Sequence, residues 1–307
     1  MKTAVLGAGA MGSVVGGLLA DAGNEVVLVD VAARTVENIN SEGLKIETKS
    51  GDRQTIQVPA TTDPGSLGAM DLVIVFVKCY HTEQAIRNAL AIIGPSTSVL
   101  SLQNGWGNST TIGNIIGSER LLVGVSYHSA TVLAPGHVLH AGEGNTFIGE
   151  LDGKESTRMS GVATMFNDAG LKTIPTQSIT REIWSKLALN AVTLPTSAAI
   201  RISAEKLVRT DEMKQLMSEL LRETVAVAAA EKIALNFDER WSAITGVLGR
   251  LAENTKGSML QDVEQRRRTE IDVINGAVIN LAQKHGISTP CNRAMFCLIK
   301  ALENSYE

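Results

Sequence analysis

The sequence predicts an α/β fold, an N-terminal doubly wound sheet followed by an all-α C-terminal domain. Three observations carry that expectation. Short β-like apolar runs alternate with helical stretches as far as Thr176. A glycine-rich turn joins the first such run to the first helix. Beyond Thr176 the apolar residues recur only at helical spacing. A chain of 307 residues has room for two domains, and the expected division is 1–176 and 177–307.

Composition narrows the function classes. A hydrophobic fraction of 44% and a charged fraction of 20% describe an ordinary water-soluble globule. A net charge of −4 offers no electrostatic footprint for nucleic acid or an anionic membrane. Cys79, Cys291 and Cys297 lack metal-ligand or CxxC spacing, which fits a reducing cytoplasm. Met1-Lys2 followed by the apolar run Ala4 to Ala20 imitates a signal peptide, but five glycines interrupt it. The expectation is a cytoplasmic protein that needs no metal, with a homodimer compatible with this reading.

Taken in order, Thr3 to Leu6 is a strand, and Gly7-Ala8-Gly9-Ala10-Met11-Gly12 is a tight turn. A small-residue helix then runs to about Ala22, and Glu25 to Val29 forms a second strand ending at Asp30. Strand, glycine turn, helix, strand and acid together make the dinucleotide fingerprint of a Rossmann domain. Gly7 permits the turn, Gly9 lets backbone approach a pyrophosphate, and Gly12 lets helix pack on strand. The helix N-terminus then receives the anion. Asp30 lies 18 residues after Gly12, where a carboxylate meets a ribose hydroxyl and repels the 2′-phosphate of NADP. The cofactor is therefore NADH or NADPH, with the balance toward NADH. Arg34 could partly answer a phosphate, and Asp30 could alternatively cap the next helix.

Asp71 to Val77 is a buried strand ending at Lys78, and Val99 to Leu102 another, ending at Gln103-Asn104-Gly105-Trp106-Gly107. Ligands of parallel sheets lie beyond such carboxyl ends, so Lys78 and Asn104 should face the cofactor. The alternatives are a solvated lysine and a simple Asn-Gly turn. Leu122 to Tyr127 is a further strand, and Gly136 to Gly149 reads as a hairpin returning to the sheet. His137 and His140 fall on opposite faces of a strand, which argues against a metal pair. Ser156 to Ala169 is a helix, and Leu171 to Thr176 the last strand.

Ile179 to Pro195 (ITREIWSKLALNAVTLP) is apolar nearly all round as a helix. Lys186, Asn190 and Thr193 share one narrow polar wedge. A snorkelling lysine would explain this, and so would a general acid with an amide beside it. Further helices follow over Asp211 to Lys232 and from near Phe237. Ser258 with Gln261 reads as a capping box, so Ser258 is either an N-cap or a binder of a substrate carboxylate. Glu270 precedes the helical face Ile271, Ile274, Val278 and Leu281, and a final helix spans Cys291 to Glu303. Arg266, Arg267 and Arg268 read as a solvated face.

GAGAMG, Lys78 after a strand, QNGWGN, WSKLALN, and SMLQDVEQRRRTEIDVINGAVINLAQKHGISTP together resemble the ketopantoate reductases (2-dehydropantoate 2-reductases). The resemblance spans essentially the whole chain in order. It implies reduction of a 2-oxo acid to the (R)-2-hydroxy acid in a cleft between a Rossmann domain and a helical domain. Lys186 corresponds to the family's catalytic lysine and Glu270 to the glutamate at the junction of cofactor and substrate. Asn190 and Ser258 correspond to substrate binders. Asn104, Lys78 and Ala130 fall on the cofactor side, with Asn104 also reaching substrate. The chain departs from the family at Leu194, where a second asparagine is usual, and at Asp30, where a basic residue often reads the 2′-phosphate. A D-2-hydroxyacid dehydrogenase on the same scaffold, acting on branched or aromatic 2-oxo acids, therefore stays open. So does a non-catalytic nucleotide sensor, which would need only the glycine turn and Asp30.

Overall fold

The computed structural model describes residues 1–306, which form two compact units. The first comprises 1–103 and 108–179, and the second, among the described residues, 104–107 and 180–306.

The first unit opens with β1 (Lys2–Leu6), α1 (Ala10–Asp21), β2 (Glu25–Val29) and α2 (Ala33–Glu42). It continues through β3 (Leu44–Thr48), β4 (Arg53–Ile56), β5 (Ala60–Thr61), β6 (Leu72–Val75) and α3 (Thr82–Asn88). Then come β7 (Ser98–Ser101), α4 (Asn108–Ile116), β8 (Leu121–Ser126), β9 (Ser129–Ala134) and β10 (His137–Gly142). It closes with β11 (Thr146–Glu150), α5 (Thr157–Asp168) and β12 (Thr173–Pro175). Eight strands make the main sheet in the order β12-β11-β8-β7-β6-β1-β2-β5. From β5 to β8 all neighbours are parallel, and β11 runs antiparallel to β8. The parallel strands are continuous apolar runs because helices cover both faces, as in a Rossmann-type doubly wound sheet. The chain leaves β1 toward β2 on one side and returns to β6 on the other. The loops after β1 and β6 therefore flank the topological switch point, where such folds bind ligands.

The second sheet, β4-β3-β10-β9, is absent from the sequence reading. It also corrects the hairpin expected over 136–149. β10 pairs with β9 and β3 in the small sheet, whereas β11 belongs to the main sheet. The break falls near Gly144, where a Cβ would lie 2.5 Å from the Tyr127 carbonyl oxygen. The small sheet packs on α1, with Ile46 and Leu44 pressed against Gly17. His140 Nε2 lies 3.0 Å from His128 Nδ1, while His137 faces Glu47 at 3.3 Å. Among the described residues no group of three potential ligands gathers that could hold a metal.

The second unit is helical: α6 (Ile179–Ile200), α7 (Asp211–Ala230), α8 (Phe237–Leu248), α9 (Ser258–Glu264), α10 (Asn275–Lys284) and α11 (Pro290–Asn304). Its core gathers Trp184, Leu187 and Ala191 of α6 with Met259, Leu260, Ile271, Ile274 and Val278. The sequence ends this first helix at Pro195, but α6 continues five residues further. Proline removes the N–H that would bond the carbonyl four residues back, that of Ala191. The Asn275 side chain donates to that carbonyl instead, at 3.0 Å, so the helix survives its proline. Each arginine of the run has a partner within this unit: Arg266 with Tyr306, Arg267 with Asp262 and Arg268 with Asp272. Among the described residues no helix is long and apolar enough to cross a membrane.

Candidate functional site

In the first unit the glycine turn is fixed from several directions. Gly7 has φ +99°, and a Cβ there would press on the backbone of Phe76 and Val77, at 3.0 Å from the Val77 nitrogen. A Cβ on Gly12 would fall 1.8 Å from the Gly7 carbonyl oxygen, so helix and turn touch with no room for a side chain. A Cβ on Gly9 would meet nothing within 4 Å. Gly9 is thus free of internal packing demands, and the space it leaves lies over the first turn of α1. There the opening amides have no intrahelical acceptors, which suits an anion.

Asp30 does more than the sequence shows. Its carboxylate accepts from the Ala8 amide at 2.7 Å and from the Ala32 amide at 2.9 Å. The acid is therefore a brace between the glycine turn and the start of α2, as well as a negative charge at the end of β2. Ser13, fully buried and overlooked in the sequence, donates to the Ala8 carbonyl at 3.0 Å. Ala8 is buried, whereas Ala10 and Met11 are partly exposed at the head of α1. Lys78 follows the Phe76–Val77 backbone that abuts Gly7, at the carboxyl end of β6. Ala130 lies on β9 of the small sheet, which packs on α1, and is partly buried against the core of this unit. Arg34 is exposed on α2.

In the second unit α6 presents Lys186 and Asn190 one turn apart, on the same face. Burial pushes the Lys186 ammonium down to about 8, and the nearby Glu270 carboxylate opposes that fall. The resulting lysine is a far better proton donor near neutrality than a solvated one. Thr193, third in the polar wedge, donates its hydroxyl to the Leu189 carbonyl at 2.8 Å within its own helix. Leu194 packs toward Gly257, where a Cβ would fall 2.8 Å from the Leu194 Cδ2.

Ser258 is exposed at the first position of α9. The capping box expected here does not form. Gly257 occupies the N-cap, Ser258 makes no cap bond, and Gln261 donates to the Lys256 carbonyl at 3.0 Å. The helix thus starts with Ser258 one position inside it, not at its cap. Glu270 is buried, and the helical face expected to follow it begins as a single tight turn over Ile271–Val273. The α-helix proper starts only at Asn275.

Asn104–Gly107 reaches this turn. Asn104 Nδ2 donates to Glu270 Oε2 at 3.5 Å, and the Trp106 amide donates to the Val273 carbonyl at 2.8 Å. Gly105, at φ +86°, lies so close to Val273 that a Cβ would be 2.5 Å from its carbonyl oxygen. The Trp106 ring lies 5.6 Å from that of the fully buried Trp184. The structure thus gathers Lys186, Asn190, Glu270 and Asn104 around α6 and one turn. Neither tryptophan was singled out in the sequence, nor was Asn275. An asparagine directly after the apolar Ile274 and ahead of the helical face Val278 and Leu281, and a proline inside an apolar helix, were the signals that could have found it.

The chain matches the family models for ketopantoate reductase PanE/ApbA over residues 3–153 and for its C-terminal part over 178–303. A 2-dehydropantoate 2-reductase of Pyrococcus horikoshii is 35% identical over 305 residues, covering 99% of this chain and 98% of that one. A D-mandelate dehydrogenase solved with NADH and anilino(oxo)acetate superposes with a TM-score of 0.95 at 28% identity, covering 100% of this chain and 99% of that one. A ketopantoate reductase of the PanE/ApbA family from Ralstonia eutropha JMP134 gives 0.90 at 31% identity, with 100% and 99% covered. Full-length likeness of this kind, on a sheet and helical unit built as described, makes the chain a member of the ketopantoate reductase family of oxidoreductases.

Proposed function

We propose that the protein reduces a 2-oxo acid, 2-dehydropantoate or a close relative, to the (R)-2-hydroxy acid with NADH or NADPH. The observation that carries this reading is Lys186, an ammonium of lowered basicity held beside Asn190 and opposite the charge of Glu270. The glycine turn fits a dinucleotide, because the room over Gly9 suits a pyrophosphate and the turn around it is rigid. Gly7 to Gly12, Asp30 and Lys78 would hold that cofactor, with Asn104, Ala130 and Glu270 as further contacts. Bound there, the reduced nicotinamide supplies the hydride.

The remaining chemistry belongs to this chain. Lys186 donates a hydrogen bond to the ketone oxygen and delivers its proton as negative charge develops there. Asn190 orients the same oxygen, and the Ser258 hydroxyl holds the carboxylate. Glu270 keeps Lys186 charged, and its own link to Asn104 fixes its direction. Protonated Lys186 is the active form for reduction. The rate should therefore fall as pH rises through about 8, and the reverse oxidation should rise over the same interval.

A second reading of the substrate rests on Leu194. Its side chain lies against Gly257, immediately before Ser258, so an apolar wall stands next to the residue that would grip the carboxylate. Together with the likeness to a D-mandelate dehydrogenase, this favours branched or aromatic 2-oxo acids. The test is consumption of NADH and of NADPH, side by side, with 2-dehydropantoate, its analogue lacking the distal hydroxyl, and branched and phenyl 2-oxo acids. Turnover that depends on Lys186 is the expected result. Nucleotide binding without turnover on any of them would leave a sensor.

A further inference from the structure

We infer that Asn275 is a positioning residue that sets where the Lys186 helix stands relative to the Glu270 turn. The inference rests on the roles proposed above for Lys186 and Glu270, and it begins from the proline in α6. Pro195 leaves the Ala191 carbonyl without its usual helical donor, and Ala191 is fully buried. The donor that replaces it is Asn275 Nδ2, at 3.0 Å. Ala191 directly follows Asn190, and Asn275 comes five residues after Glu270. One amide therefore ties the helix that carries the acid to the segment that carries its counter-charge.

The amide is itself held in place. Asn275 is fully buried, and its Nδ2 also donates to Asn292 Oδ1 at 2.9 Å. Asn292 Nδ2 donates in turn to Glu223 Oε2 at 2.7 Å. The Glu223 carboxylate accepts from the backbone amides of Cys291 and Asn292 at 2.8 and 2.9 Å. The network thus runs from α7 through the start of α11 to α10 and ends on α6. On its other side the Glu270 turn is fastened by the Trp106 amide to Val273. Packing alone would be served by a leucine at position 275. Only a donor of this length joins the Ala191 carbonyl to the fixed network.

The experiment compares Asn275→Ala, Pro195→Ala and the double variant in the full-length protein. The Lys186 ammonium is titrated by NMR of ¹³C-lysine-labelled protein, with its resonance assigned by Lys186→Arg. Thermal unfolding and steady-state kinetics are measured in parallel. In Asn275→Ala the Lys186 midpoint should fall below about 8, because Glu270 no longer supports the charge as closely. kcat should drop about 10- to 100-fold, as expected for a small misplacement of reacting groups, with the nucleotide KM barely changed. Pro195→Ala alone should leave both the midpoint and kcat at wild-type values. In the double variant, residue 195 regains an amide that serves Ala191. Its Tm should recover toward wild type while midpoint and kcat stay displaced. That variant also carries the test if Asn275→Ala alone does not fold.

Recovery of midpoint and kcat together with Tm would make Asn275 a purely structural residue and overturn the inference. A wild-type Lys186 midpoint in Asn275→Ala would do the same. Full turnover by Lys186→Ala would instead overturn the proposed function, leaving the NMR titration to decide the role of Asn275 independently.

Discussion

The glycine turn of the first unit and the lysine site of the second are built in opposite ways. Six consecutive residues make the turn, and its constraints are steric: a backbone oxygen where Gly12 would carry a Cβ, open space at Gly9. The lysine site draws on α6, the Glu270 turn and the Asn104 loop. Two of its side chains that touch, Asn104 and Glu270, are 166 residues apart. A contiguous site declares itself through local backbone demands that few other sequences satisfy. An assembled site consists of ordinary residues whose meaning depends on what folds against them.

Variants can sharpen this contrast, beginning with the largest effect. Lys186→Ala should lower kcat by roughly 10²–10⁴ while leaving nucleotide affinity nearly intact, since only a proton donor is lost. Near-normal turnover would show that the assembled site is not the reacting one. Leu194→Asn comes next. A hydroxyl buried without a partner costs about 1–3 kcal/mol, so an amide here should raise kcat/KM for a hydroxylated tail over its deoxy analogue by roughly 5- to 150-fold. An unchanged ratio, with the wild type already preferring the hydroxylated acid, would mean that Leu194 does not read the tail.

The glycine pair tests the steric side of the contrast. Gly12→Ala forces a Cβ into the Gly7 carbonyl and should cost about 1–3 kcal/mol in thermal unfolding. Gly9→Ala should leave Tm unchanged yet weaken dinucleotide binding, as read by fluorescence titration. Equal Tm losses in both would contradict the assignment of the Gly9 space to a ligand. The smallest effect belongs to Asp30. Asp30→Asn removes the charge facing a 2′-phosphate but keeps an acceptor for the Ala8 amide, so relative use of NADPH should rise severalfold. Asp30→Ala, which drops the brace as well, should weaken both nucleotides. A wild type that already strongly prefers NADPH would remove Asp30 as the discriminator.

Local pattern made much of the fold readable. β1, α1 and β2, the buried strands β6, β7 and β8, and the helical second unit all follow from apolar spacing and turn residues. The small sheet was not readable, because β3 and β10 pair across some ninety residues: the alternation in LKIET fits a strand but names no partner, and RQTI carries a weaker pattern. The continuation of α6 past Pro195 was hidden for a similar reason. The bond that permits it comes from Asn275, and no local rule supplies a donor from another helix. Of the site, the glycine turn was legible from the residues alone. Lys186 and Asn190 were visible as a polar wedge and Ser258 as one of two readings of a helix start, whereas Glu270 gained its role only through family likeness.

The Asn104 loop has a consequence for how the chain is made. Its anchors, Glu270 and Val273, emerge from the ribosome long after it, and 166 residues take roughly 8–33 s to synthesise. During that interval Trp106 waits without the Val273 carbonyl, and until Trp184 is made without that ring as well, on a connection of the sheet that is otherwise ready to form. Closing so long a loop adds little to its entropic cost but defers its reward until late in folding. An apolar tryptophan is meanwhile displayed to whatever else is nascent in the cell. Chaperone occupancy of stalled chains should therefore persist past the synthesis of β12 and end once the Glu270 turn has been released.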